Sequence, residues 1–340
     1  MKTLRNAVIA IFAGLILMIS CKKSDIALPK SEANIDSIAS KYYEGYLKMY
    51  PLEATMQGDS RYNDLLSNNI SSEFISKEIE FYTDTQKKLK SIDYDDLSDE
   101  QKTVYDVLDY TLKDKIERYA YHPELMPFSQ FEGLPLDFPL LGSAEGNQPF
   151  KTTKDYENWL KRIDAFVIWM NTAEKNFREG MKQNVVLPKK LVVKMIPQMH
   201  SEEIITEDFD KNIFYGPIKK MPKNFSAKDK EKYKILYQEA ISSKIIPAYQ
   251  KMGDFLEKEY LPKARNTDGI NAIPNGKNIY EYYAKSWTTT NKTPEEINKI
   301  GLQQVAMLRA EMEKVKTQLG FKGSLEQFLT SLKTDKKAMP

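Results

Sequence analysis

The stretch TKDYENWLKRIDAFVIWM, from Thr153 to Met170, places apolar side chains three or four residues apart along one broad face. This spacing follows the turn of an α-helix, and a face of this width is typical of a helix with neighbours on several sides. The apolar positions are Tyr156, Trp159, Leu160, Ile163, Phe166, Val167 and Met170. The stretch predicts an interior α-helix and a helical fold around it.

Helical spacing continues toward the amino terminus of the chain. Apolar residues three to four apart predict a first helix that stops at Pro51 and a second from about Ser72 past Leu89. Ser98 and Gln101 stand at the spacing of a capping box and open a third helix. Its apolar face, which we expect to be buried, consists of Val104, Leu108, Leu112 and Ile116.

Toward the carboxyl terminus the sequence predicts further helices. A long helix or kinked pair begins at Ser226 and is interrupted by Pro247. Thr293 and Glu296 form another capping box, and the helix that they open is expected to end at Gly320. Its apolar positions are Ile297, Ile300, Val305, Leu308, Met312, Val315 and Leu319. Because no strand ladder or repeat period is found, the prediction is a mostly α fold, an irregular multi-helix assembly.

Three segments of the pattern leave alternatives open. Residues 122–150 and 204–225 are longer than ordinary connections, and they are either walls of a ligand cleft or an apolar cover over the helices beneath. Gly58 follows the first helix, where we expect a turn with this glycine in a left-handed conformation. The alternative is a glycine within an ordinary helix.

The first residues have the layout of an export signal. Lys2 and Arg5 precede an apolar run, residues 7–19, that is shorter than the about 20 residues of a membrane span and is followed by Ser20 and Cys21. The sequence LMISC resembles the lipobox of bacterial lipoproteins, in which cleavage between Ser20 and Cys21 leaves a lipid-bearing cysteine. The alternative is an ordinary signal peptide with an accidental cysteine, but Cys21 is the only cysteine in the chain.

These features predict a signal peptide over residues 1–20, a tether over 21–30 and a helical domain over 31–340. A composition of 41% hydrophobic and 29% charged residues is that of a folded protein. Removing the signal leaves 48 basic against 48 acidic residues, so a nucleic-acid partner is not expected. The predicted location is the cell envelope, at a membrane that holds the lipid of Cys21.

Motifs that carry chemistry are missing from the sequence. It contains no HExxH, no glycine-rich phosphate loop and no GxSxG, and its carboxylates form no signature pair. His122 and His200 are the only histidines, and we interpret both as structural or solvated. No catalytic residue and no metal ligand is therefore assigned. The 20 tyrosines and 15 phenylalanines line either a sugar or peptide cleft or the core.

Four blocks in order along nearly all of the predicted mature chain resemble the domain-of-unknown-function family 885. They are YPLEATMQGDSRYND at Tyr50–Asp64, the segment from Trp159 through VVLPKKLVVKMIPQM, then IIPAYQKMGDFLEKEYLPKAR, and IPNGKNIYEYYAKSWTTTNKTPEEINKIGLQQV. The resemblance implies a longer bacterial protein similar to zincin-like metallopeptidases, of which this chain is the N-terminal helical half. The family's zinc motif, of the type HExxPGH, lies in the other half, so zinc is expected for the full-length protein and no cofactor for this chain.

The same resemblance implies that the chain is truncated at its C-terminal end and that the missing half packs on the helical domain. Nothing in the sequence matches the zinc motif, so neither His122 nor His200 receives a catalytic or metal role. Two functions remain. The first is the N-terminal half of an envelope hydrolase that acts on peptides, inactive by itself. The second is a non-catalytic lipoprotein that binds or scaffolds peptides or glycans.

Overall fold

The computed structural model describes residues 34–334, which form helices joined by turns. The α-helices are α1 (Ile35–Met49), α2 (Pro51–Met56), α3 (Ser72–Lys90), α4 (Asp99–Arg118), α5 (Leu134–Gly142), α6 (Thr153–Lys182), α7 (Lys189–Met199), α8 (Glu202–Ile205), α9 (Gly216–Lys219), α10 (Ala227–Ala240), α11 (Ile246–Phe255), α12 (Gly276–Thr288), α13 (Pro294–Gln318) and α14 (Leu325–Thr334). Two π-helical turns are π1 (Ile241–Ile245) and π2 (Leu256–Tyr260). These residues include no β-strand, so the prediction of a mostly α, irregular assembly is confirmed.

The chain divides into two compact units. Within the described residues, unit 1 comprises residues 34–46 and 80–112, and unit 2 comprises residues 47–79 and 113–334. In unit 1, Ile35 and Ile38 of α1 are buried, and Tyr42 stacks on Phe81 with ring centroids 5.9 Å apart.

The third predicted helix, α4, is buried over only part of its apolar face. Leu108 and Leu112 are buried as predicted, but Val104 is 38% exposed and Ile116 is half-buried. The prediction is wrong at these two positions because periodicity identifies the apolar face of a helix but not how much of its length another element covers.

α6 forms the centre of unit 2, as the opening stretch predicts. Its capping box is present, since the Thr152 hydroxyl accepts from the amide of Asp155 and the Asp155 carboxylate accepts from the amide of Thr152. Phe138 of α5 stacks on Phe166 and on Trp159, with ring centroids 4.0 and 4.6 Å apart. These three aromatic side chains are buried.

The first of the two long connections, residues 122–150, contains a helix that the sequence analysis missed. α5 includes Pro139, which has no N–H for the carbonyl of Pro135 four residues earlier. The hydroxyl of Tyr249 donates to that carbonyl instead, at 2.8 Å. Because this donor lies in α11, no local sequence signal could reveal that a helix with an internal proline is tolerated here.

The second long connection, residues 204–225, contains only short helices, α8 and α9, and a 3₁₀ turn, Ile213–Tyr215. Both connections bury aromatic side chains in the core of unit 2, Phe138 from the first and Phe214 from the second. This burial favours their interpretation as an apolar cover.

Pro247 does not interrupt its helix, contrary to the sequence analysis. α10, π1, α11 and π2 follow one another without an intervening turn or loop, although Pro247 and Pro262 donate no backbone hydrogen bond. In each π turn an amide donates five residues back, from Ile246 to Ile241 and from Leu261 to Leu256. A proline follows each of these donors directly, and the wider turn relieves the clash between a proline ring and the preceding turn.

Two glycines end helices in left-handed conformations, as predicted. Gly58 has φ +82° after α2, and Gly320 has φ +72° after α13. At Gly58 the amides of Gly58 and Asp59 donate to the carbonyls of Thr55 and Ala54. This is the Schellman pattern, which satisfies carbonyls at the end of a helix. Pro51 begins α2 instead of only ending α1, because the first turn of a helix needs no N–H from it.

Candidate functional site

The predicted cleavage and lipidation residues, Ser20 and Cys21, lie outside the residues that the structure describes. So do the signal peptide over residues 1–20 and the tether over residues 21–30. Their roles stay predictions.

His122 is a largely exposed histidine next to one carboxylate. It follows a 3₁₀ turn in a left-handed conformation with φ 50°. Its Nδ1 atom lies 3.0 Å from Oε1 of Glu124. This placement agrees with the interpretation of His122 as a solvated residue.

His200 lies at the end of α7 and packs on the backbone of α11. A Cβ atom at Gly253 would lie 2.4 Å from Nε2 of His200, so a larger residue there would displace the imidazole. The His200 side chain is 29% exposed and can be reached from solvent. A glycine in α11 therefore lets the ring lie directly against the helix.

Two carboxylates lie beside His200, which the sequence analysis treated as isolated. Nε2 of His200 is 3.7 Å from Oδ1 of Asp254, and one ligand atom each from His200, Asp254 and Glu257 lie within 4.8 Å of one another. Asp254 and Glu257 are three residues apart and share one helix face. Spacing along the chain could not reveal this group, because His200 belongs to a different helix.

Asp254 also accepts a hydrogen bond from Nζ of Lys258 at 2.8 Å. This hydrogen bond lowers the pKa of Asp254 below its ordinary value, and the nearby His200 contributes in the same direction. The carboxylate is therefore ionised at neutral pH. Among residues 34–334, the group formed by His200, Asp254 and Glu257 has the donor atoms to hold a metal ion.

Arg162 is a fully buried cation on the apolar face of α6. Its guanidinium donates to Oγ1 of Thr55 at 2.7 Å, to the carbonyls of Leu65 and Tyr62 at 3.0 and 3.1 Å, and to the side-chain oxygen of Gln148. Burial lowers its pKa to about 10. These contacts tie α6 to α2 and to the segment after it. The sequence analysis missed this role, although an arginine within an apolar face was a visible signal.

Glu78 of α3 is a buried carboxylate. The hydroxyls of Tyr50 and Tyr119 both donate to it. Burial, followed by the hydrogen bond to Glu78, raises the pKa of Tyr119, so its phenol stays protonated and keeps donating. A buried carboxylate with two such donors supports a structural role.

A cavity of about 300 Å³ lies beside α12 in unit 2. Tyr282 in its wall donates to the carbonyl of Asp114 at 3.2 Å, and Nζ of Lys285 lies 2.6 Å from Oε2 of Glu117. The walls thus combine aromatic and charged groups, a mixture that fits a polar organic ligand.

α13 presents a long apolar face to solvent. Its capping box is present, with Oγ1 of Thr293 accepting from the amide of Glu296 at 3.2 Å. None of its residues is buried by the part of the chain that the structure describes. The large apolar side chains exposed along it are Ile300, Leu302, Val305, Met307, Leu308, Met312, Val315 and, just after it, Leu319.

No helix within residues 34–334 combines the length and the apolar composition needed to cross a bilayer.

Comparison with a solved structure supports the helical fold. The structure, described as that of "the putative lipoprotein from Colwellia psychrerythraea", matches with a TM-score of 0.70 and 18% sequence identity. The match covers 89% of this chain and 54% of that chain. This chain thus spans about half the length of the protein that it resembles, and at this identity the likeness shows the fold alone.

The sequence comparisons identify a family without assigning an activity. No curated protein matches the chain. A family model described as "Bacterial protein of unknown function (DUF885)" matches residues 51–340. Because this match includes most of the chain and all four blocks quoted above except Tyr50, the chain belongs to the DUF885 family of bacterial proteins.

Proposed function

We propose that this chain is the helical half of a cell-envelope lipoprotein related to zinc-dependent peptidase-like hydrolases. It docks onto the rest of that protein through the apolar face of α13. The solvent exposure of this face is the observation that carries the proposal. The chain contributes a helical wall, and the chemistry belongs to the other half.

The apolar side chains of α13 form a continuous seam. They follow one another at intervals of three or four residues: Leu302, Val305, Leu308, Met312, Val315 and Leu319. Leu302 and Val305 are each 65% exposed. Full burial of one such side chain contributes roughly 1.5–3 kcal/mol, so the seam favours association strongly. Monomeric proteins rarely expose so long an apolar surface without a partner.

The rest of the longer protein is the occupant that best fits this seam. The Colwellia relative contains additional polypeptide that this chain does not cover, since the chain spans only 54% of it. α14 packs on α13 through buried Leu325 and Phe328, yet the seam stays exposed. A further layer of polypeptide on the same helix would bury it.

The residues of this chain do not fit a catalytic zinc site. Such a site takes three protein ligands and an open position for water in a shaped cavity. Here His122 faces one carboxylate, while His200, Asp254 and Glu257 supply three donors on an exposed surface, where Asp254 also binds Lys258, and not in a shaped cavity. We therefore derive no catalytic step and expect no peptidase activity from this chain alone.

The envelope location rests on two supports. The solved relative is described as a putative lipoprotein, and the sequence LMISC of this chain ends on its only cysteine. A lipid on Cys21 would hold the helical units at a membrane surface, with the predicted tether over residues 21–30 as the connection.

A binding or scaffolding lipoprotein is the second candidate. The cavity beside α12 favours it, because Lys285 and Glu117 in its wall offer charged groups to a peptide or glycan. In this case the chain would function without a second half.

Variants of α13 separate the two candidates. The chain without residues 1–21 is examined for binding of a hydrophobic dye and for molar mass by light scattering. We expect it to bind the dye or to self-associate, and Leu302→Glu with Val305→Glu should abolish both. Gln303→Glu with Gln304→Glu adds the same charge to the same helix outside the seam and should leave both unchanged.

The occupant is then tested directly. The part of the Colwellia relative that this chain does not match is co-expressed with each variant. Copurification with the parent chain and the control variant, but not with the seam variant, is the expected result. A monodisperse chain that binds no dye would contradict the docking proposal and favour the binding lipoprotein. A stable dimer that the seam variant dissociates would assign the face to a second copy.

A further inference from the structure

We infer that His200, Asp254 and Glu257 form a surface site for a divalent first-row transition ion, represented by zinc. The inference goes beyond the proposed function, because it concerns residues that neither the seam of α13 nor the cavity beside α12 includes. It rests on the positions of three side chains, one directly after α7, one in α11 and one in π2.

The donor atoms suit this class of ion. One imidazole nitrogen and two carboxylate oxygens are ligands that zinc, nickel and copper accept, whereas magnesium and calcium prefer oxygen alone. Zinc binds nitrogen and oxygen at about 2.0–2.2 Å, so two of its ligand atoms lie at most about 4 Å apart. The pair between His200 and Asp254 meets this limit at 3.7 Å, and a group within 4.8 Å meets it after small side-chain rotations.

The backbone that carries these ligands is held at both ends. The amide of Lys189 at the start of α7 donates to the carbonyl of Arg265 at 2.7 Å, and the amide of Leu187 donates to the hydroxyl of Tyr260 at 2.9 Å. At the other end the ring of His200 packs on Gly253. Asp254 and Glu257 therefore sit on helices and His200 directly follows one, which lowers the cost of ordering the three side chains around an ion.

The electrostatic surroundings favour the binding of a cation, although one positively charged side chain, Lys258, opposes it. The last carbonyls of α7 carry partial negative charge next to His200. Lys258 competes for the carboxylate of Asp254 at 2.8 Å. With exposed carboxylates and this competitor, the site should exchange its ion with solvent.

Zinc binding to the full chain tests the inference. The protein is purified without an affinity tag in detergent, any free thiol of Cys21 is alkylated, and zinc is titrated by calorimetry. We expect one site, and His200→Ala and Glu257→Gln should each weaken it at least about tenfold. Lys258→Met should tighten binding, because it removes the competing ammonium.

His122 provides a matched control, since it is the only other histidine and also lies beside a carboxylate. His122→Ala should leave the affinity unchanged. In the NMR spectrum of the labelled imidazoles, zinc should shift the signals of His200 and not those of His122. The absence of saturable zinc binding would overturn the inference, as would equal affinity in His200→Ala or unchanged His200 signals at saturation. Circular dichroism of each variant shows whether it is folded.

Discussion

Arg162 shows how one residue can hold a segment in place from within a core. No carboxylate is among its hydrogen-bond acceptors; they are neutral groups of Thr55, Tyr62, Leu65 and Gln148, together with a longer contact to the carbonyl of Pro51. Removing a charge from water is costly, and this cost is offset only while the donors and acceptors stay paired.

Replacement of Arg162 should therefore be severe. In Arg162→Met the carbonyls of Tyr62 and Leu65 lose their donor inside the protein, and the free energy of unfolding should fall by roughly 3 kcal/mol or more. Lys161→Met is the control, because the neighbouring lysine forms an exposed pair with Asp64 at 2.9 Å and should contribute less than about 1 kcal/mol. Denaturant melts measure both, and equal effects would contradict the role of Arg162.

Glycine is needed at position 58 because of the backbone angle there, and not because a larger side chain would clash with its neighbours. The φ of Gly58 is +82°, and no atom lies within 4 Å of an added Cβ. Gly58→Val should lower the free energy of unfolding by about 1–2 kcal/mol, because a branched side chain is strained at positive φ. Gly301→Ala, also in open space but within α13, should be neutral or stabilise by up to about 1 kcal/mol. Chemical denaturation distinguishes these opposite signs.

At the scale of helices, contacts between elements replace bonds that proline removes. The hydroxyl of Tyr249 serves the free carbonyl of Pro135 in α5, and the wider turns π1 and π2 precede Pro247 and Pro262. In the helical segment that runs from α10 to π2, charged groups of α11 and π2 also contact α6. Nζ of Lys251 lies 2.7 Å from Oε2 of Glu174.

Glu174 should make stability depend on pH. Its side chain is only 14% exposed, and burial alone would raise its pKa. Hydrogen bonds from Lys251 and Arg178 outweigh burial, so the pKa is lowered below the ordinary 4.5. A carboxyl group whose pKa is lower in the folded than in the unfolded state raises the free energy of unfolding at pH values above its unfolded pKa. This contribution is lost as the pH falls through the pKa of the folded state.

Glu174→Gln should therefore destabilise the protein by roughly 1–3 kcal/mol at pH 7 and have progressively less effect below pH 4.5. Glu179→Gln on the same helix removes an exposed pair with Lys182 and should be nearly neutral at both pH values. Urea melts at pH 7 and pH 3 measure the difference. An effect of Glu174→Gln that does not shrink in acid would contradict the assignment.

For the whole molecule, the predicted lipid anchor decides where the protein acts. Cys21→Ser should abolish labelling by a fatty-acid analogue and either release the protein from membranes or leave an uncleaved precursor. The physical reason is that an acyl chain transfers its methylene groups into the bilayer, at about 0.8 kcal/mol each. Ser324→Ala is a control that leaves the lipobox intact. Labelling that persists in Cys21→Ser would show that Cys21 is not the site.

The sequence by itself determined the helical class and several helix boundaries. The capping boxes at Ser98 and Thr293 and the left-handed glycines Gly58 and Gly320 depend on neighbours within a few residues, so a local pattern contains the information. The family, too, could be identified from short blocks of sequence.

Only the tertiary structure decided the rest. α5 depends on a hydroxyl from α11, Arg162 depends on acceptors in a distant segment, and His200 meets Asp254 and Glu257 only where α7 packs against α11. Burial of α4 likewise depended on how much of its length its neighbours cover. Periodicity reports which face of a helix is apolar. Whether another element covers this face, or leaves it in solvent as on α13, is set by contacts between residues far apart in the chain.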